Sequence, residues 1–217
     1  MVKLVFMRER ILGGARGDAG EPGEPSLRGV VARQVNKYIE LGFHRELGIS
    51  QAAYRARFEL PQGVGQPEAY VGRFDIPLVI DPRVGLARQA ALGGIEVWEN
   101  FDISQVDEDL TEVPGEPYLG FTHDGRKYRP YSIREAMKLF AADEVGSPLA
   151  EVIALYAQHP ECFVESGVYA AGSRYQYDNV PRLSRSRTMS IDAGWIGDKF
   201  GGMGVLSRGR GIVRLGA

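Results

Sequence analysis

The chain offers little sulfur chemistry. It holds one cysteine, Cys162, in 217 residues, which excludes an internal disulfide and any zinc site built on a cysteine cluster. That usage fits a reducing compartment. Long apolar runs are missing too. None approaches the roughly 18 residues a spanning helix needs, so no membrane insertion is expected. The apolar start at Met1–Met7 is broken by Arg8, Glu9 and Arg10. It is too short for a signal-peptide core, and the expected location is cytoplasmic. The three histidines, His44, His123 and His159, show no paired metal-helix spacing, and His-Glu-x-x-His is absent. Gly202-Met203-Gly204 follows no clear strand and opens no helix, so it is a poor phosphate loop. No cofactor is expected. Charge of one sign is also lacking: the net charge of −2 argues against a general nucleic-acid coat or a membrane-surface protein.

What is present is ordinary for a globular chain, 44% apolar and 25% charged, enough for one core. Residues 13–25 carry five glycines and two prolines and almost nothing to bury, so residues 1–25 are expected to be a flexible segment before a single domain at 26–217. Ser26 is placed to cap a helix presenting Val31, Val35, Tyr38 and Ile39, with Gly42 as its stop. Ser50 opens a shorter helix. Ile76–Ile80, a helix over Val84–Leu92 closed by Gly93-Gly94, and Ile95–Trp98 together read as a parallel βαβ unit. Pro117–Phe121 reads as a strand, with His123-Asp124-Gly125 as a hairpin turn. Ser132 with Glu135 forms a capping box, and Ser147-Pro148 opens a helix presenting Leu149, Val152, Ile153 and Tyr156. From Val168 onward the period shifts to two, the mark of an antiparallel meander. The predicted class is α+β: N-terminal helices and a βαβ unit packed with a C-terminal β-meander. Trp98, Phe140, Leu149, Ile153 and Trp195 are expected in or beside the core.

Charge is unevenly spread. Residues 174–217 hold eight Lys or Arg against three acids, a balance of +5, which leaves −7 for residues 1–173. Arg174, Arg182, Arg185 and Arg187 interleave with Tyr175 and Tyr177, a composition suited to docking an acidic protein partner or, as an alternative, to stacking on single-stranded nucleic acid. On a strand Arg185 and Arg187 share one face and Arg182 takes the other. The opposite pole is Glu96–Glu116, with eight acids and no Lys or Arg. It lacks the calcium-loop pattern and reads as a solvated loop. The arginines either serve a partner or neutralise this run within the molecule. Asp81 and Asp102 would lie beyond the carboxyl ends of the βαβ strands, where open sheets bind ligands. They supply the alternative of a divalent-cation enzyme, weighed against Asp81 as a simple turn residue before Pro82. His159 with Cys162 is a poor thiol pair, because Cys162 sits in apolar surroundings.

A series of short segments stands in a fixed order along the chain: Arg33-Gln34-Val35 with Leu41-Gly42, Pro77-Leu78-Val79, Pro117-Tyr118-Leu119, and Ser147-Pro148-Leu149 leading to Ile153-Ala154-Leu155 and His159-Pro160. Gly172-Ser173-Arg174, Val180-Pro181 and Gly194-Trp195 complete the set. Over residues 33–195 this order resembles an uncharacterised, mainly actinobacterial family known only as a domain of unknown function. The resemblance implies a bacterial protein and supplies no activity. That family often ends in a Trp-, His- and Cys-bearing tail; Ile196–Ala217 contains none of the three, so no chemistry is expected there. The leading expectation is a non-enzymatic binding protein or accessory subunit that docks an acidic partner through its basic C-terminal face.

Overall fold

The computed structural model describes residues 26–108, 111, 113–165, 167–199 and 201–216. The expected flexible segment 1–25 lies outside them, as do Asp109 and Glu112 of the acidic run. The chain runs through α1 (Leu27–Leu41), α2 (Phe43–Glu46), α3 (Gln51–Ala56), β1 (Ile76–Ile80), α4 (Leu86–Leu92), β2 (Glu96–Val97) and β3 (Val106–Asp107). It continues with β4 (Tyr118–Thr122), α5 (Ile133–Lys138), β5 (Glu144–Gly146) and α6 (Leu149–Gln158). Six strands close it: β6 (Val168–Ala170), β7 (Arg174–Tyr175), β8 (Asn179–Arg185), β9 (Met189–Trp195), β10 (Gly204–Gly209) and β11 (Val213–Arg214).

The helix signals hold. Ser26 accepts from the Gly29 amide, and Gly42 ends α1 in the left-handed region with φ 96°, a conformation glycine adopts without a Cβ clash. Ser132 and Glu135 form the full capping box of α5. At α6 the expected opening at Ser147-Pro148 is right, but the cap comes from elsewhere: the Ser173 hydroxyl accepts the Leu149 amide at 2.8 Å.

The α+β class stands, with an N-terminal helical region and a mixed sheet ordered β1-β4-β10-β6-β8-β7-β3. The βαβ pairing does not. β1 pairs antiparallel with β4, and β2 runs parallel to β9 instead. A short strand–helix–strand succession can be read as a crossover, yet the partner of β1 is chosen by burial. Leu78 and Ile80 face one apolar cluster with Tyr118, while Val79 faces another with Leu119 and Phe121. The meander is also partial. β8 and β9 form an antiparallel hairpin, but β10 runs parallel to β6. His123–Gly125 leads into a 3₁₀ turn at Arg126–Tyr128 and not a hairpin.

α6 is the central element, with every residue from Leu149 to Leu155 buried. It carries a charge inward: Glu151 meets Arg208 of β10 at 2.7 Å, with both side chains almost wholly buried and the Tyr118 hydroxyl also donating to Glu151 at 2.9 Å. The outer edge of β1 is closed by α1. Gln34 donates to the Pro77 carbonyl and accepts the Val79 amide, both at 2.7 Å, and the Tyr38 hydroxyl donates to the Val79 carbonyl. A side-chain amide thus replaces a missing strand. Leu149 and Ile153 are core residues and Phe140 packs beside the third apolar cluster, as expected. Trp98 and Trp195 are corrections: they are 55% and 49% exposed.

Candidate functional site

The basic C-terminal residues do not form one face. Arg208 is buried in its pair with Glu151. Arg182 spans Asp192 with two N–H groups, one at 2.9 Å, and donates to the Tyr169 hydroxyl. The Asp192 carboxylate holds its pKa above the usual arginine value. Arg174 is half-buried, opposite Asp107 in the β3–β7 pairing, with its guanidinium donating to the Ala171 and Ser173 carbonyls. Burial lowers its pKa. Tyr175 is buried against Phe101, ring centres 4.3 Å apart. Of the six proposed contact residues, Arg174, Arg182 and Tyr175 therefore serve the fold. The other three stand out in solvent. Tyr177 is 99% exposed, and Arg185 and Arg187 are both exposed at the tip of the β8–β9 hairpin. Neither of these two arginine side chains is paired with Asp107 or Glu108; Glu108 instead accepts the Ala150 amide at the start of α6.

Sequence reasoning missed the surface beside this hairpin. The Trp98 amide donates to the Ile191 carbonyl at 3.0 Å, where β2 ends. On that side of β9 no strand lies beside Asp192–Trp195 among the described residues. The chain's two tryptophans, both exposed, stand at the two ends of this open edge. Trp195 lies across Gly197, where a Cβ would meet the ring at 2.1 Å, and under the Arg134 guanidinium at 5.4 Å. The ring is therefore held in place while half exposed.

The two carboxylates offered for a cation are engaged elsewhere. Asp81 is buried, with one oxygen receiving Arg83 Nε and the other receiving Arg83 and the Tyr54 hydroxyl, all between 2.8 and 2.9 Å. Its guanidinium partner supplies the charge a metal would have to bring. Asp102 caps a 3₁₀ turn, accepting from the Ser104 amide and hydroxyl and from Gln105. Those hydrogen bonds lower its pKa. Among the described residues no three His, Cys, Asp or Glu side chains converge to hold a metal ion. Cys162 is buried, and burial raises its thiol to about 11, so the thiolate that a nucleophile requires is suppressed.

A second polar centre joins residues far apart in sequence. His123 Nε2 lies 2.7 Å from the Ser207 hydroxyl, which donates to Glu144. Tyr128 donates to the same carboxylate at 2.8 Å, and the Ala141 amide and Lys127 approach its other oxygen at 3.2 and 3.4 Å. Burial pushes Glu144 up, but the hydrogen bonds outweigh it and leave the carboxyl below its usual pKa. A serine, histidine and acid in contact invite a triad reading, and the proton positions oppose it. His123 Nδ1 accepts the Gly125 amide at 2.8 Å, so a neutral ring carries its proton on Nε2 and donates it to Ser207. A general base must accept the serine proton. Here Glu144 takes that proton, and burial depresses His123 to about 4. His123, Arg73 and Lys127 line a cleft of about 400 Å³, with Asp75 and Asp124 on the same wall. Ser207 is wholly buried. The network locks β10, β5 and the 126–128 turn together and exposes no nucleophile.

No helix among the described residues is long and apolar enough to cross a membrane. Comparison of the chain with known protein families, characterised proteins and solved structures finds no match.

Proposed function

We propose that this chain is a non-catalytic binding protein whose β8–β9 hairpin docks an acidic segment of a protein partner. The observation that supports it is the contrast among the C-terminal arginines. Arg174, Arg182 and Arg208 are engaged within the fold, whereas Arg185 and Arg187 stand together in solvent at the tip. Exposed cations bring an acidic partner in at a higher rate and fix its orientation more than they add affinity. The nucleic-acid alternative loses part of its stacking row, because Tyr175 is buried under Phe101. The cation-enzyme alternative loses Asp81 to Arg83.

The test is fluorescence anisotropy with a labelled polyglutamate peptide and, in parallel, a labelled oligothymidine. The expected result is salt-sensitive peptide binding that weakens about tenfold or more in the Arg185→Ser, Arg187→Ser variant, with the oligonucleotide unbound. Binding of the oligonucleotide in preference to the peptide overturns the reading. So does peptide binding that the double variant leaves unchanged.

A further inference from the structure

We propose that the groove between α1 and α3 binds a small amphipathic carboxylate, its hydrocarbon body on the apolar floor and its charge between Arg28 and Arg55. The groove follows from helical spacing. Along α1, Arg28, Ala32 and Asn36 recur every fourth residue and form one ridge, while Val31 and Val35 lie a row below and are buried. Phe58 and Leu60, just beyond α3, complete the apolar floor. Arg55 of α3 stands on the far wall with Glu59. The space is about 260 Å³, the liquid volume of roughly nine waters, which limits the ligand body to about eight carbons. Both walls are fixed from behind. Gln34 and Tyr38 tie α1 to β1, and the Tyr54 hydroxyl ties α3 to Asp81 at 2.9 Å. Ala32 is exposed and offers only a methyl group, so the ridge is low between Arg28 and Asn36 and the groove stays open.

Charge selects the ligand. Arg73, Arg83, Arg182 and Arg208 each meet a carboxylate. The two groove arginines are held by neutral oxygens instead. Arg28 donates to the Pro61 carbonyl at 3.3 Å, and Arg55 Nε donates to the Asn36 side-chain oxygen at 3.1 Å. Each contact steadies a guanidinium and leaves its charge and its remaining N–H groups for an incoming anion. Glu59 is exposed and forms no ion pair with either arginine among the described residues. The wider surroundings are positive as well: residues 26–60 hold six Lys or Arg against three Glu, and Glu46 of those three is paired with Arg88. An apolar floor with a few placed polar groups is the usual form of a small-molecule site. Here the floor favours a hydrocarbon body and the paired guanidinium groups favour a carboxylate over an amine. The groove uses neither Arg185 nor Arg187, so it stands independently of the acidic-partner reading.

Isothermal titration calorimetry of the full chain with octanoate tests it, alongside acetate, which lacks the body, and octylammonium, which reverses the charge. The expected result is octanoate binding with a Kd of about 1 mM or tighter, with acetate and octylammonium silent. Ala32→Phe sets a ring on an exposed helix position and closes the groove, and Arg55→Gln removes the charge of one wall. Each should weaken octanoate at least about fivefold with the urea midpoint unchanged. Ala32→Ser leaves the mouth open and should retain binding, which separates blockage from damage to α1. Absence of octanoate binding overturns the proposal. So does equal binding of octylammonium, and so does octanoate binding that Ala32→Phe and Arg55→Gln both leave unchanged.

Discussion

The buried polar centre around Glu144 and the β8–β9 hairpin both carry charged and aromatic side chains and treat them in opposite ways. At the centre every polar atom is satisfied: Glu144 receives Ser207, Tyr128 and a backbone amide, and both nitrogens of His123 are occupied. At the hairpin, Arg185 and Arg187 at the tip and Trp195 at the end of β9 face solvent. A constellation that looks catalytic by composition can therefore be structural. The difference lies in whether donor and acceptor capacity is already consumed. A satisfied network stabilises the fold, and only unconsumed capacity is available for a partner.

The comparison is tested most severely where charge is deepest. Arg208→Met leaves the buried Glu151 carboxyl without its cation and with only Tyr118 to meet it. The expected loss is about 3–5 kcal/mol in urea unfolding, the usual cost of breaking a buried pair from one side. Pairing it with Glu151→Leu should recover most of that loss. If Arg208→Met costs no more than a surface change, the interior pair is not what β10 contributes to the core.

Ile153→Ala probes the same helix without charge. Ile153 is 1% exposed in the main apolar cluster, and removing three carbons there should cost about 2–5 kcal/mol. A much smaller loss would show that α6 repacks freely, against its burial on all sides.

His123 gives a pH signature to the polar centre. Burial lowers its pKa from 6.5 to about 4, so below pH 6.5 the unfolded chain takes up a proton that the folded chain refuses. The stabilisation is present above the unfolded pKa and is lost as pH falls from 6.5 towards about 4, amounting to about 3 kcal/mol. Urea midpoints measured through that window should show the slope in the native chain and a shallower one in His123→Gln. Equal slopes would mean that His123 is solvated and that the cleft reaches deeper than its walls indicate.

The helices were legible in the sequence because caps and periodicity are local. Ser26, Gly42 and the Ser132–Glu135 box all act within a few residues. Strands β1, β4, β6 and β8 were legible for the same reason. Their partners were not. Whether β1 lies beside β2 or β4 is decided by which clusters Leu78, Val79 and Ile80 fill, and no spacing records that. The polar centre was hidden by distance, since 84 residues separate His123 from Ser207. Trp98 and Trp195 are exposed although apolar neighbours and aromatic size both point to the core, because neither signal records which way a ring at a strand end turns. The better clue was the Gly-Trp-Ile-Gly run, where Gly197 makes room for the Trp195 ring. At the hairpin, the expectation that Arg185 and Arg187 are exposed together agrees with their positions, although Arg187 sits in the loop and not on the strand.

The smallest expected effect separates the two regions most cleanly. Replacing Arg185 and Arg187 with serine removes two exposed cations for which no ion pair is found among the described residues, so unfolding free energy should change by less than about 0.5 kcal/mol. Arg182→Ser, one strand turn away, removes the partner of Asp192 and a bond to Tyr169, and should cost more than the other two combined. The ordering matters more than the magnitudes. If the double change destabilises the chain, and does so most at low salt, the hairpin arginines are neutralising acids of their own molecule and the partner reading fails. If stability is untouched while peptide binding falls, the charge at the tip is directed outward. Only two residues, Leu183 and Ser184, then separate an arginine that holds the sheet together from one that is directed at another protein.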